Sequence, residues 1–413
     1  MSSIELQRLS DQFIELEEAY NAHNYHPLPV VLTRGAGVYV WDVEGKKYYD
    51  FLAAYSAVNQ GHCHPRITAV LIDQVQRLTL TSRAFYNDQL GAYAAFITNY
   101  FGYDKVLPMN TGVEAVETAL KLCRRWAYNV KGIANNQAKI IVCEGNFHGR
   151  TTGVISFSND PSSYEGFGPY MPNYVQIPYN DLSALNNALQ DPTVAGFLVE
   201  PIQGEAGVIV PTEGYLKQAA AMCKEANVLF IADEVQTGLA RTGKLLCCDH
   251  EDVHPDILIL GKALSGGTLP VSAVLADDSI MLQIKAGEHG STYGGNPLAC
   301  VVAMEALKVI KEENLAENSL LLGEQFRKAL RELNLPLIKE VRGKGLFNAI
   351  ELAAPDDHTG WDICIKMMQN GLLAKPTHGN KIRFAPPLCI TSDQLMECVQ
   401  IIKNSIIEFS SGN

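Results

Sequence analysis

Five short, almost unbroken apolar runs constrain the fold of this chain most. They occupy residues 139–143, 195–199, 228–232, 256–260 and 271–275, are rich in Val, Ile and Leu, and several are separated by helical patterns such as 215–226. Strands apolar on both sides belong to a mainly parallel sheet with helices packed on each face. Ligands of such sheets bind beyond the carboxyl ends of the strands, so the polar residues that leave each run are the candidates for chemistry.

The flanking regions differ in style. Leu6, Leu9, Phe13, Leu16 and Tyr20 recur at helical spacing before a break at 21–29, and Asp42-Val-Glu-Gly45 joins two strand-like runs as a hairpin would. After Asn296-Pro297 come long helical stretches to about residue 333, short strands near 338–341, 346–351 and 381–384, and a closing helix at 392–408. At 413 residues the chain exceeds one ordinary core. We therefore expect an N-terminal segment (1–60), a large α/β domain (61–312) and a smaller α+β domain (313–413).

A net charge of −12 argues against nucleic acid or an anionic membrane as partner, so an anionic ligand must be held by local groups. No apolar run approaches the roughly 20 residues that span a bilayer. Acidic Glu5, Asp11, Glu15, Glu17 and Glu18 fit neither a secretory signal nor a basic transit peptide, so the expected compartment is the cytoplasm, or the mitochondrial matrix if a transit segment has been removed. Cys123, Cys143, Cys223 and Cys300 lie in apolar contexts, as reduced buried thiols do. His62-Cys63-His64 and Cys247-Cys248-Asp249-His250 lack the paired spacing of a zinc site, and no metal is expected.

Lys262 follows the run 257–260 and Gly261. Burial disfavours the charged form of a lysine, which suits a neutral amine that attacks a carbonyl. On these residues alone a surface lysine just past a strand end is the commoner arrangement. Asp233 follows the run 228–232, where a carboxylate can hold a proton on a heteroaromatic nitrogen or merely cap a turn. Both occurring at the ends of successive strands favours the chemical reading. Thr111 and Glu114 fit a capping box, and Gly112 at that helix start lets a phosphate approach free N–H groups. Gly145-Asn-Phe147-His-Gly-Arg150 leaves another strand with a ring that can stack and a guanidinium that can pair with a carboxylate, while His148 reads as structural or solvent-exposed. Glu200 and Glu205 follow a fourth strand, one of them for local hydrogen bonding only. Gly35-Ala-Gly37 lacks the rest of a dinucleotide fingerprint, which disfavours a nucleotide-binding protein.

Taken in order, Met109-Asn-Thr-Gly, Glu200-Pro-Ile-Gln-Gly-Glu205, Ala232-Asp-Glu-Val-Gln236-Thr-Gly, Leu260-Gly-Lys262-Ala-Leu-Ser-Gly-Gly and His289-Gly-Ser-Thr-Tyr-Gly-Gly-Asn-Pro297 resemble the class III group of fold-type I, pyridoxal-phosphate-dependent aminotransferases. The likeness runs from His23-Asn-Tyr25-His-Pro to Arg383-Phe-Ala-Pro-Pro387 and is narrower with the members acting on the δ-amino group of ornithine. It implies a mainly parallel seven-stranded sheet flanked by helices, with Lys262 as the Schiff-base lysine and Asp233 as the pyridinium partner. It places Gln236 against the ring's phenolic oxygen, Phe147 on the ring, and Gly112 and Val113 on the phosphate. Ser291 and Thr292 would serve the cofactor too, Thr292 reaching the phosphate of a neighbouring subunit, so that a homodimer shares its sites.

For substrates, the resemblance implies that Tyr25 and Arg150 hold the α-groups of ornithine while Tyr55 shapes the pocket. Arg383 would bind the carboxylate of 2-oxoglutarate, and Glu205 would mask Arg383 while ornithine is bound. Both tyrosines could instead be amphipathic core residues. The expected reaction gives glutamate 5-semialdehyde and glutamate. The alternatives are a related ω-aminotransferase for acetylornithine, 4-aminobutyrate or lysine, and a non-catalytic cofactor-binding protein.

Overall fold

The computed structural model describes residues 9–353 and 358–411. Seven strands build its central sheet: β4 (Lys105–Met109), β5 (Lys139–Cys143), β6 (Tyr174–Ile177), β7 (Val194–Val199), β8 (Leu229–Asp233), β9 (Ile257–Leu260) and β10 (Ser272–Ala276), in the order β4-β10-β9-β8-β7-β5-β6. Only β10 runs against its neighbours, so the carboxyl ends of the other six share one edge. Every residue of β7, β8, β9 and β10 is buried. Alternate side chains go to opposite faces: Ile140 and Val142 pack with the helix Gly112–Trp126, Ile141 and Cys143 with the helix Tyr215–Glu225. Each such Val, Ile or Leu contributes roughly 1.5–3 kcal/mol on leaving water.

The five apolar runs are thus strands, with ends shifted by a residue. Asp233 is the last residue of β8 and pairs with Ile259, which fixes its backbone in the ladder. Both edge strands, β4 and β6, are absent from the sequence reading. Pro108 and half-buried positions blur the apolar signal of β4, and an edge strand tolerates proline because it needs only one partner.

Two smaller sheets surround this core. A meander of β1 (Leu32–Ala36), β2 (Tyr39–Asp42) and β3 (Lys47–Asp50) is joined in parallel by β13 (Leu372–Leu373), so residues from the two ends of the chain share one sheet. The other is antiparallel, in the order β11 (Ile338–Lys344), β12 (Phe347–Leu352), β15 (Lys381–Phe384) and β14 (Lys375–Thr377). Phe51, Phe326 and Phe384 meet with centroids 5.7–6.0 Å apart and tie the end of β3 to β15. The expected N-terminal helix is present as Leu9–Tyr20. Leu6 lies outside the described residues, and Leu9, Phe13, Leu16 and Tyr20 are exposed, because this chain places nothing over that face. Cys123, Cys143, Cys223 and Cys300 are buried free thiols. Among the described residues no helix is long and apolar enough to cross a membrane, and no group of side chains could hold a metal ion.

Candidate active site

The carboxyl edge of the central sheet opens on a cavity of about 230 Å³ lined by Gly112, Val113, Phe147, His148, Glu200, Asp233, Gln236 and Lys262. Lys262 sits two residues beyond β9, after Gly261, with a positive φ of 44°, a strained backbone for a residue with a Cβ. It is half-buried by surface because it lines this cavity and an adjoining one of about 360 Å³, yet protein surrounds it. Burial lowers its pKa, against the opposing pull of the Glu205 and Asp233 carboxylates. The amine is therefore easier to deprotonate than a solvated lysine.

Asp233, 5% exposed, accepts a 2.6 Å hydrogen bond from His148 Nδ1 and one from the Val235 N–H at 3.1 Å. Burial works against a charged His148, but the hydrogen bond and charge of Asp233 outweigh it and the imidazole pKa is raised. The pair sets the Asp233 carboxyl against an imidazole that keeps its proton more readily. His148 is the functional residue the sequence reading passed over. It is neither exposed nor isolated, because its loop leaves β5 at the same edge where β8 delivers Asp233. Its Nε2 is buried without a hydrogen-bond partner beside the cavity. Glu200 accepts the Phe147 N–H at 2.9 Å, and burial pushes its pKa up to about 7.

At the other wall, Thr111 caps the helix Gly112–Trp126 with the full capping box to Glu114. The first turn leaves the Gly112 and Val113 N–H groups without acceptors in the helix, and the helix dipole adds partial positive charge there. A Cβ on Gly112 would come within 3.0 Å of Val235 Cγ1, so only glycine lets these elements close on one another unstrained.

The mouth draws on more distant parts of the chain. Arg383 on β15 is 4% exposed and bonds Glu205 Oε1 at 2.7 Å. Burial raises the Glu205 pKa, but Arg383 outweighs this and the carboxyl titrates below its ordinary range. The Arg383 guanidinium lies 5.2 Å from the Tyr55 ring centroid. Tyr25 and Arg150 are exposed but near enough to act electrostatically on Tyr55, and Arg150 stands 5.5 Å over the Phe147 ring. Ser291 and Thr292 are elsewhere. Ser291 Oγ accepts Asn110 Nδ2 at 2.8 Å, and Thr292 is exposed on a loop that does not line this chain's own cavity.

A lysine of depressed pKa, a buried acid backed by a histidine and a capped helix start around one cavity suit a phosphorylated pyridine aldehyde. The family model described as aminotransferase class-III matches residues 20–406. The chain belongs to the class-III aminotransferases. Like them, it uses pyridoxal 5′-phosphate. Its relatives in this family include the protein named mitochondrial ornithine aminotransferase of Rattus norvegicus, 61% identical over 97% of this chain and 91% of that one. Among solved structures, ornithine aminotransferase of Toxoplasma gondii, described with partial occupancy of PLP at its active site, has a TM-score of 0.96 at 50% identity over 98% and 95% of the chains. The acetylornithine aminotransferase of Elizabethkingia anophelis has a TM-score of 0.89 at 60% identity over 97% and 99%.

Proposed function

We propose that this aminotransferase moves the δ-amino group of ornithine to 2-oxoglutarate, giving glutamate 5-semialdehyde and glutamate. The observation that carries the reading is the Glu205–Arg383 ion pair beside Tyr55. A guanidinium masked by a movable glutamate serves two substrates in turn: covered, it leaves room for a diamine, and uncovered, it grips a second carboxylate.

Bound pyridoxal phosphate supplies an aldehyde for the substrate amine and an electron-withdrawing ring for the carbon beside it. In this reading Lys262 would hold the cofactor, and its amine would move the proton at the substrate carbon. Asp233 would face the ring nitrogen and favour a proton there, and His148 holds Asp233 in place. Gln236 would serve the phenolic oxygen, Phe147 the ring face, and the Gly112 and Val113 N–H groups the phosphate. Tyr25 and Arg150 take the α-groups of ornithine, leaving the far amine to reach the ring.

The position of Ser291 and Thr292 outside their own chain's cavity supports a homodimer in which Thr292 completes the partner's phosphate site. A division into residues 1–60, 61–312 and 313–413 fits the break between the helices Pro297–Glu312 and Leu315–Glu332 and the sharing of one sheet by β3 and β13. The cytoplasm or the mitochondrial matrix is the compartment; the name of the rat relative favours the second. The relative named for acetylornithine keeps that donor as the second reading. Single-turnover reactions with each donor decide. Ornithine should bleach the cofactor's visible absorbance faster than acetylornithine, and the reverse order would overturn the assignment.

A further inference from the structure

Between β3 and the start of the helix Pro65–Val75, four consecutive residues occupy the left-handed region: Ala53, Ala54, Tyr55 and Ser56, with φ of 46°, 47°, 59° and 73°. None is glycine, and each Cβ crowds the following carbonyl in this conformation. Local preference points the other way, since Leu-Ala-Ala-Tyr-Ser-Ala favours a right-handed turn. The surroundings must impose the handedness, and such imposed strain gathers where a side chain has to be aimed.

The imposing group is Asp50, the last residue of β3. Its Oδ1 accepts the N–H groups of Leu52 at 2.9 Å and Ala53 at 2.8 Å, and its Oδ2 accepts His62 Nε2 at 2.7 Å. His62 is itself fixed, its backbone bridging Gly37 and its ring so close to Gly35 that a Cβ there would lie 2.9 Å away. Phe51, between them, donates to Leu373 O at 2.9 Å and accepts from the Ala385 N–H at 2.7 Å. Backbone bonds from Tyr55 to Leu52 O and from Ala57 and Val58 to Ala53 O close the turn. The turn's product is the placement of Tyr55 against Arg383. A turn of the opposite hand would send that ring to another side.

We propose that Asp50, seated by His62, is a positioning residue for the amino donor. It sets the hand of the turn that aims Tyr55 at the Glu205–Arg383 pair, and so controls donor affinity without touching the substrate. The proposal rests on Tyr55 shaping the donor pocket, as read above. It predicts a loss confined to binding and a specific rescue: glycine adopts positive φ without the Cβ penalty and should remove the need for the carboxylate.

The test measures ornithine half-reactions of the holoenzyme by cofactor absorbance, separating the apparent Kd from the limiting rate. Asp50→Ala should raise the Kd by about tenfold, the scale of one lost hydrogen bond to a charged group, with the limiting rate within about threefold of the parent. Asp50→Asn keeps the Oδ1 acceptor and should stay near the parent. Asp50→Ala combined with Ala53→Gly and Ala54→Gly should recover most of the affinity. An unchanged Kd in Asp50→Ala, a fall in rate alone, or a glycine variant as weak as Asp50→Ala would each overturn the proposal. Asp50 also acts on the buried Arg241, so if its alanine variant fails to fold, His62→Ala replaces it: it leaves the Oδ1 bonds in place and should raise the Kd by about threefold, with the same glycine rescue and the same overturning results. If the parent does not respond to ornithine, the donor assignment fails separately, and the donor it does accept is used in the same titrations.

Discussion

The base and the mouth of the site are built in different ways. At the base, Asp233 ends the fully buried strand β8 with its backbone paired in the ladder, and Lys262 follows the adjacent buried strand β9 after Gly261, in a short turn at the same edge. At the mouth, Tyr25, Tyr55, Arg150 and Glu205 come from loops and a strained turn, and Arg383 from an interior strand of a separate sheet. A ladder of hydrogen bonds fixes reacting groups to within fractions of an ångström, which proton transfer needs. Loops and ion pairs can rearrange between two substrates. The contrast assigns rate to the base and choice of substrate to the mouth.

Substitutions at the base should break this contrast only by sparing the rate. Lys262→Ala should lower multiple turnover by at least about a thousandfold with every donor, since positioned acid–base groups alone contribute 10²–10⁴. A steady-state assay against ornithine and its alternatives checks this. Asp233→Asn, which removes the charge but keeps the shape, should cost about a hundred- to thousandfold in the limiting rate. Its effect on the Kd of ornithine should be small, as single-turnover kinetics will report.

At the mouth, the readout changes from speed to preference. Tyr55→Ile should shift the ratio of kcat/KM for 4-aminobutyrate over ornithine by about tenfold, the worth of one repacked contact. Equal losses for both donors would show that Tyr55 belongs with the base. The smallest effect concerns stability. Glu234, next to Asp233 and fully buried, accepts the Cys248 N–H at 2.8 Å, and burial pushes its pKa from 4.5 to about 7. The folded state therefore keeps a proton that the unfolded state releases, and stability falls as pH rises from about 4.5 to 7. The shift corresponds to about 3 kcal/mol. Glu234→Gln removes the penalty, so its Tm relative to the parent should be higher at pH 8 than at pH 5, by roughly 3–6 °C.

The same contrast explains what could be read from the sequence. Apolar runs announce buried strands, and the first polar residue after each run marks the working edge, so Lys262 and Asp233 were legible. The capping box of Thr111 and Glu114 was legible because it is written in four consecutive residues. The bond from His148 to Asp233 joins residues 85 apart, and the Arg383–Glu205 pair spans 178. Residue types alone carry no signal of such contacts; the resemblance to the family supplied the second and not the first. The left-handed turn at Ala53–Ser56 contradicts the preference of its own residues, because the Asp50 carboxylate just before it, held by His62, decides it.

Borohydride reduction of the holoenzyme, followed by peptide mapping, tests the central claim most directly. Reduction fixes the cofactor to whichever amine carries it. The account predicts a single labelled peptide containing Lys262, with the label lost when ornithine is added before the reductant. A label on any other lysine would contradict it.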